Sequence, residues 1–310
     1  MSDKVILRLS NGMGNQMFMY AAAYAISKLL NRELFIDEET AFSGNKIRKY
    51  GLNALNFTSK IAPKNLKFLN LNGYLKRKLT IKIDKFRKNK SFYIEYKDKN
   101  KITFYDDSFL KKNFAKNLFL EGHFESEKYF HKFQDEIRNE FSFKHKDTFL
   151  NNPYYKLIKE SNSVAICIRQ HRFSERFRTL NSYDLSKSKT FTNEQINYVK
   201  KSVDIIKTKI TNPKFFLWSN DYNNLINHFP ENKFTMIMND EHISQDKKIG
   251  LDLFLLSQAK NHIVIPSAFN WWGCWLSTND EKIVYRPSNN YFSNFKIHNK
   301  NFWPEEWKVL

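Results

Sequence analysis

The apolar positions fall into short strand-length runs separated by stretches of helical spacing. The first unit is plain from its opening. Val5 to Leu9 reads as a strand, Ser10 to Gln16 as a loop, Met17 to about Leu30 as a helix and Glu33 to Asp37 as a second strand. Phe18, Ala22, Ala25 and Leu29 fall on one face of that helix, which predicts a core stripe packed on a sheet. The second half alternates more regularly. Strands are predicted over Ser163 to Ile168, Lys214 to Ser219, Phe234 to Met238, His262 to Ile265 and Lys282 to Tyr285. Helices are predicted near Asn193 to Lys209, Ile249 to Lys260 and Phe269 to Leu276. Strands alternating with helices predict an α/β fold with parallel, doubly wound sheets.

A chain of 310 residues exceeds the size at which a single core stops growing, so two domains are expected. The polar, basic stretch FKHKDTFLNNP, broken by Pro153, divides them into 1–150 and 151–310. Each is predicted to be Rossmann-like, the two facing a cleft, with ligand bound beyond the carboxyl ends of the strands. Between about 60 and 101, text such as LKRKLTIKIDKFRKNK loses the periodicity of a core element and reads as a basic insertion or arm.

Composition adds limits. Hydrophobic residues at 41% and aromatics at 16% suffice for packed cores. No apolar run approaches the roughly 20 residues that span a bilayer, and the opening reads as a strand rather than a signal peptide. Cys167 and Cys274 sit in apolar text, as expected of reduced, buried thiols in a cytoplasmic protein. The net charge of +19 fits nucleic acid, an anionic membrane surface or a phosphorylated substrate. The joint abundance of lysine, asparagine, isoleucine and phenylalanine offers a purely compositional source for it. The basic arm, Lys76 to Lys101, is expected to make peripheral contact with an anionic inner-membrane surface.

Three clusters carry candidate chemistry. Gly12 and Gly14 fall in the first strand-to-helix loop, where glycines admit close backbone approach and a helix N-terminus attracts anions. Asn15 and Gln16 add neutral donors there; the competing reading is an ordinary tight turn. The segment VAICIRQHRFSERFR crowds Arg169, His171, Arg172 and Arg176 behind an apolar strand, a credible diphosphate site against the alternative of a solvated loop. In LDLFLLSQAKNHIVIPSAFNWWGCWLS, Ser267 and the amides after it, from Ala268 and Phe269, resemble a phosphate seat. Asp252 is the one acid on its helix, and the macrodipole of an N-terminal helix acid is the competing explanation. Trp271, Trp272 and Trp275 read as core. No Asp-x-Asp pair, zinc spacing or Walker loop occurs, so no metal or other cofactor is expected.

The segment SNGMGNQMFMYAAAYAISKLL resembles the opening signature of glycosyltransferase family eleven, the alpha-1,2-fucosyltransferases. LEGHFESEKYF, FFLWSND, DLFLLSQAKNHIVIPSAFNWWGCWLS and FWPEEW resemble successive blocks of that family in order. The family's central block is His-Ile-Arg-Arg-Gly-Asp-Tyr, and Cys167 to Phe173 retain from it Ile168 and Arg169. The resemblance implies a GT-B fold and a metal-independent, inverting transfer of L-fucose from GDP-fucose, bound by the second domain, to the 2-hydroxyl of a terminal galactose. The acceptor would be a glycan, lipid-linked or free, of surface polysaccharide or lipopolysaccharide, held on the side of the first domain. It also implies that Arg169 holds the diphosphate, Asn15 lies near the fucose, Asp252 receives guanine N–H groups, and Ser267 with Phe269 lines the phosphate seat.

The general base is open, because Arg172 stands where the family has aspartate; His171 and Glu175 are the nearest replacements. Two rivals are a nucleic-acid-binding protein, suggested by charge and aromatics but not favoured, and a transferase using another nucleotide sugar.

Overall fold

The computed structural model describes residues 2–43, 48–174, 182–238 and 244–310. The chain forms two compact units, Met1–Lys144 with His298–Pro304, and His145–Ile297 with Glu305–Leu310.

The first unit runs β1 (Lys4–Arg8), α1 (Met13–Leu29), β2 (Glu33–Asp37), β3 (Leu55–Asn56), β4 (Lys60–Ile61), α2 (Asn70–Asp84), β5 (Lys90–Ile94), β6 (Phe114–Glu121), α3 (Gln134–Glu140) and β7 (Ser142–Phe143). Five strands form a parallel sheet in the order β4, β2, β1, β6, β5, and β3 pairs antiparallel with β7. Ile6 lies between Phe35 and Phe119 in register, and these three close a cluster with Ala62 and Leu66. Helix α1 is buried nearly all round, with Phe18 against Phe130 and Tyr20 against Phe57 and Phe141. Its end is a Schellman turn: Asn31 takes a φ of 51°, its N–H reaches Lys28 O, and Arg32 N–H reaches Ser27 O. Leu29, expected in the core stripe, sits at this end and is exposed.

The second unit contains α4 (Lys146–Leu150), α5 (Pro153–Glu160), β8 (Asn162–Ile168), α6 (Ser182–Lys207), β9 (Pro213–Ser219), β10 (Phe234–Met236), α7 (Gln245–Gln258), β11 (Asn261–Ile263), α8 (Ala268–Leu276), β12 (Val284–Arg286) and β13 (Lys308–Val309). Its six strands are all parallel, in the order β10, β9, β8, β11, β12, β13. Strand β8 is buried from Ser163 to Ile168, as a strand covered on both faces must be. Trp271 packs on Trp272, Trp275 and Trp307, so the tryptophans are core. Both cysteines are free and buried.

Helices α1, α6 and α7 start earlier than the sequence reading placed them, at Met13, Ser182 and Gln245, and two boundaries of the units also differ. The division falls at 144/145 rather than 150/151, because Phe149 of α4 packs 5.5 Å from Phe254 of α7. Residues 298–304 return to the first unit, where Thr103 N donates to His298 O at 2.7 Å and Phe302 packs on Phe18. The stretch 60–101 is not simply an inserted arm. It supplies β4 and β5 to the sheet, with Phe92 and Tyr93 buried and Phe92 stacked on both Phe68 and Phe119, which also touch each other. Among the described residues no helix is long and apolar enough to cross a membrane.

Candidate functional site

In each sheet the chain starts at an inner strand, builds outward to one side and then returns to build the other. The order reverses between β1 and β6 in the first sheet and between β8 and β11 in the second. Loops leaving two such neighbouring strands diverge, and the gap beyond their carboxyl ends is where open α/β sheets bind ligands. The candidate residues concentrate at these two places.

In the first unit the loop after β1 turns at Asn11, whose φ is 64°; Gly12 itself is extended and caps α1 without a side-chain bond. The tight conformation therefore belongs to asparagine, which tolerates the left-handed region. Gly14 is buried inside the first turn of α1. Gln16 is fully buried: its Nε2 donates to Asn11 O and Lys49 O, and its Oε1 accepts from Gly51 N. Expected to donate to a ligand, Gln16 is instead the pin of the loop. Asn15 is half-buried and donates from Nδ2 to Glu125 Oε1 at 2.5 Å.

Glu125 belongs to the loop after β6, which the sequence reading left without a site residue. Here Asn11 Nδ2 lies 2.7 Å from His123 Nε2. An amide nitrogen only donates, so Nε2 accepts and the ring is neutral; burial, reinforced by Lys97 and His298, lowers the His123 pKa in the same sense. Buried Glu95 fixes this loop by accepting from His123 N at 2.7 Å and Phe124 N at 3.1 Å, against a burial that raises its pKa. Gly122 permits the approach, since a Cβ there would stand 2.4 Å from Glu95 Cβ. Phe124 is held at φ 52°, a costly conformation for an aromatic residue, by these bonds and by rings of Tyr93 and Tyr129. A histidine and an acid within one turn of an apolar strand's carboxyl end were the signal for this loop.

In the second unit Arg169 follows β8 directly and is half-buried. Its backbone is clamped by Gln195, which accepts from Arg169 N and donates to Arg169 O, both at 3.0 Å. Gln170 is buried and bonded to Asn220, Asp221 and Asn223. His171, at φ 58°, brings Nε2 to 2.8 Å from Asp221 Oδ2, and this contact leads the causes that lower the Asp221 pKa. Arg172 lays its guanidinium 4.0 Å over the Phe295 ring. His171 and Arg172 thus both have protein partners. Glu175 and Arg176 lie outside the described residues.

The neighbouring loop follows β11. Ser267 caps α8 without a side-chain bond, its own N–H turned back to Ile265 O, and Ala268 and Phe269 open the helix half-buried. Buried Asn270 accepts from Ile265 N, while its Nδ2 has no partner among the described residues. Asp252 lies two turns inside α7, which starts at Gln245, so the macrodipole does not account for it. Burial and then the Asp252 charge raise the Cys167 thiol pKa, and burial with the same charge raises that of the Tyr222 hydroxyl. The acid therefore lies close to the carboxyl ends of β8 and β9.

The sequence profile of Glycosyl transferase family 11 matches residues 75–310. The chain is similar to a protein of Escherichia coli named Alpha-1,2-colitosyltransferase, at 24% identity over 98% of this chain and 97% of that protein. It is also similar to the O-antigen biosynthesis glycosyltransferase WbnK of Escherichia coli, at 26% identity over 93% and 95%. Among solved structures it resembles the alpha-1,6-fucosyltransferase NodZ soaked with GDP-fucose, with a TM-score of 0.52 and 13% identity over 89% of this chain and 93% of that one. A mutant of Arabidopsis thaliana FUT1 in complex with GDP gives a TM-score of 0.53 and 15% identity over 93% and 71%. At such identities these structures share the fold.

Proposed function

This chain belongs to glycosyltransferase family 11, and from that premise we propose that it transfers L-fucose from GDP-fucose to the 2-hydroxyl of a terminal galactose in a surface glycan. The observation that carries the reading is the placement of Arg169 at the reversal of the second sheet, on the loop neighbouring the one that opens α8. A guanidinium and helix amides at one strand edge are the donors that a departing diphosphate needs when no metal shares the charge. The names of the relatives support the rest: one carries an alpha-1,2 linkage, the other O-antigen synthesis. The nucleic-acid reading has no such support.

In this mechanism the acceptor oxygen attacks the anomeric carbon from the face opposite the diphosphate. The new C–O bond forms as the bond to the phosphate oxygen breaks, and GDP leaves with the electron pair. The acceptor proton passes to a base. Glu125, pinned by Asn15, is the carboxylate on the acceptor side, and His171 with Asp221 is the second candidate. A GT-B arrangement with the donor in the second unit, and a lipid-linked acceptor, belong to the same proposal.

Colitose, which is fucose without its 3-hydroxyl, is the rival donor sugar, favoured by the name of the 24% identical relative. The test is turnover of GDP-fucose and GDP-colitose with galactose-terminated acceptors in excess EDTA, with product linkage determined. Fucose transfer to the 2-hydroxyl is expected. A strict preference for GDP-colitose, another linkage, or a requirement for added manganese would overturn the corresponding part.

A further inference from the structure

Helix α2 is amphipathic with its faces reversed. The positions turned toward its own unit are Gly73, Arg77, Thr80 and Asp84, with Ile81 half-buried beside them. Two polar side chains of this face hold the helix down. Arg77 Nε donates to Glu121 Oε1 at 2.6 Å, and Asp84 Oδ2 accepts from Ser91 N and Phe92 N of β5 at 2.7 Å each. The large apolar side chains point the other way. Leu71, Leu75 and Leu79 are 70%, 53% and 59% exposed, Ile83 is 38% exposed, and Phe86 just past the helix is 91% exposed.

Leu71, Leu75, Leu79 and Ile83 recur every fourth residue, so they lie along one band of the helix. An ordered apolar band of this kind on a solvent face marks an interaction surface. The flanks say which. Lys76, Lys78, Lys82, Lys85, Arg87 and Lys88 border the band, and the one acid between Asn70 and Lys90 is Asp84, which is turned inward and bonded to β5. Two copies of α2 laid together would set these cations against each other, whereas a bilayer carrying anionic head groups offers acyl chains to the leucines and phosphates to the lysines.

We propose that α2 docks the first unit in the plane of an anionic lipid surface, its leucine band inserted and its lysines at the head groups. The docking goes beyond the transfer reaction and does not depend on which sugar is moved. It is tested with the full chain by sedimentation with vesicles of phosphatidylcholine alone and with phosphatidylglycerol added. Binding is expected to the anionic vesicles and to fall with salt. Leu75→Gln with Leu79→Gln keeps the charge and should weaken binding by roughly tenfold or more. Lys78→Gln with Lys82→Gln should weaken it by roughly thirtyfold. Melting curves and turnover on a water-soluble acceptor should match the wild type in both. Failure to bind anionic vesicles at low salt, or full binding by the leucine variant, overturns the proposal. So does a dimer of the wild-type chain that the leucine variant dissociates, since the band then covers a second copy.

Discussion

Asn15 Nδ2 donates to Glu125 Oε1 at 2.5 Å, which ties the first turn of α1 to the loop after β6. If Glu125 takes the acceptor proton, its orientation depends on this amide. Asn15→Ala should lower kcat/KM by roughly tenfold to a hundredfold, the range of a positioned acid-base group, with the melting curve unchanged. Asn15→Asp sets a second carboxylate against Glu125, disfavouring ionisation of both and moving the acid limb of the pH profile upward. An unmoved limb in Asn15→Asp would assign the proton elsewhere, with His171 next to be tested.

Arg169→Ala leaves the Gln195 clamp in place, because that clamp grips the backbone of residue 169, and its melting curve should stay close to that of the wild type. Arg169→Ala should lower turnover by about a hundredfold or more, the loss on deleting one preorganised donor to a developing charge. Arg169→Lys keeps the charge but loses the bidentate fork, so its recovery should be partial. Full activity in a folded Arg169→Ala protein would remove the diphosphate clamp from the mechanism.

Asp252 lies too far inside α7 for the macrodipole and close to the ends of β8 and β9, and under the proposed function its carboxylate accepts two guanine N–H groups. Asp252→Asn keeps one acceptor and should weaken GDP roughly tenfold or more while leaving UDP unchanged. Calorimetric titration with both nucleotides checks it. Equal losses would show that the acid serves packing near Cys167 and Tyr222.

His262, fully buried on β11, has its imidazole driven down to about 3 by burial, with Lys282 adding to it. The unfolded chain holds the same proton with a pKa of about 6.5, so below that pH the unfolded state binds more protons. The stability of keeping this ring neutral is complete above about pH 6.5 and drains as pH falls toward about 3, amounting to several kcal/mol. His262→Leu should therefore flatten the fall of Tm between about pH 6.5 and 4. Parallel slopes for the two proteins would refute the assignment.

Most strands of the second unit were legible because a strand buried on both faces writes a continuous apolar run, as in Val164 to Ile168. Arg169 and Ser267 stood out for the same reason, as polar residues ending such runs. Strand β5 was obscured because Phe92 and Tyr93 sit in lysine-rich text, and only their pairing with β6 shows them to be core. Gln16 and Asn15 are adjacent and alike in chemistry, yet the buried amide is spent on Asn11, Lys49 and Gly51 while the other meets Glu125. Apart from the bond to Asn11, that distinction rests on contacts more than thirty residues apart, which local spacing does not encode.

The path of the last thirteen residues limits how this enzyme can be recombined. His298–Pro304 lends Phe302 to the first unit, and Glu305–Leu310 then lends β13 to the second. A chimera joined once, at 144/145, would exchange β13 correctly but carry a foreign 298–304 into the retained first half. Exchanging one unit with that of a homologue therefore takes three junctions, at 144/145, 297/298 and 304/305, and a deletion from the carboxyl terminus that passes Pro304 removes chain from both units.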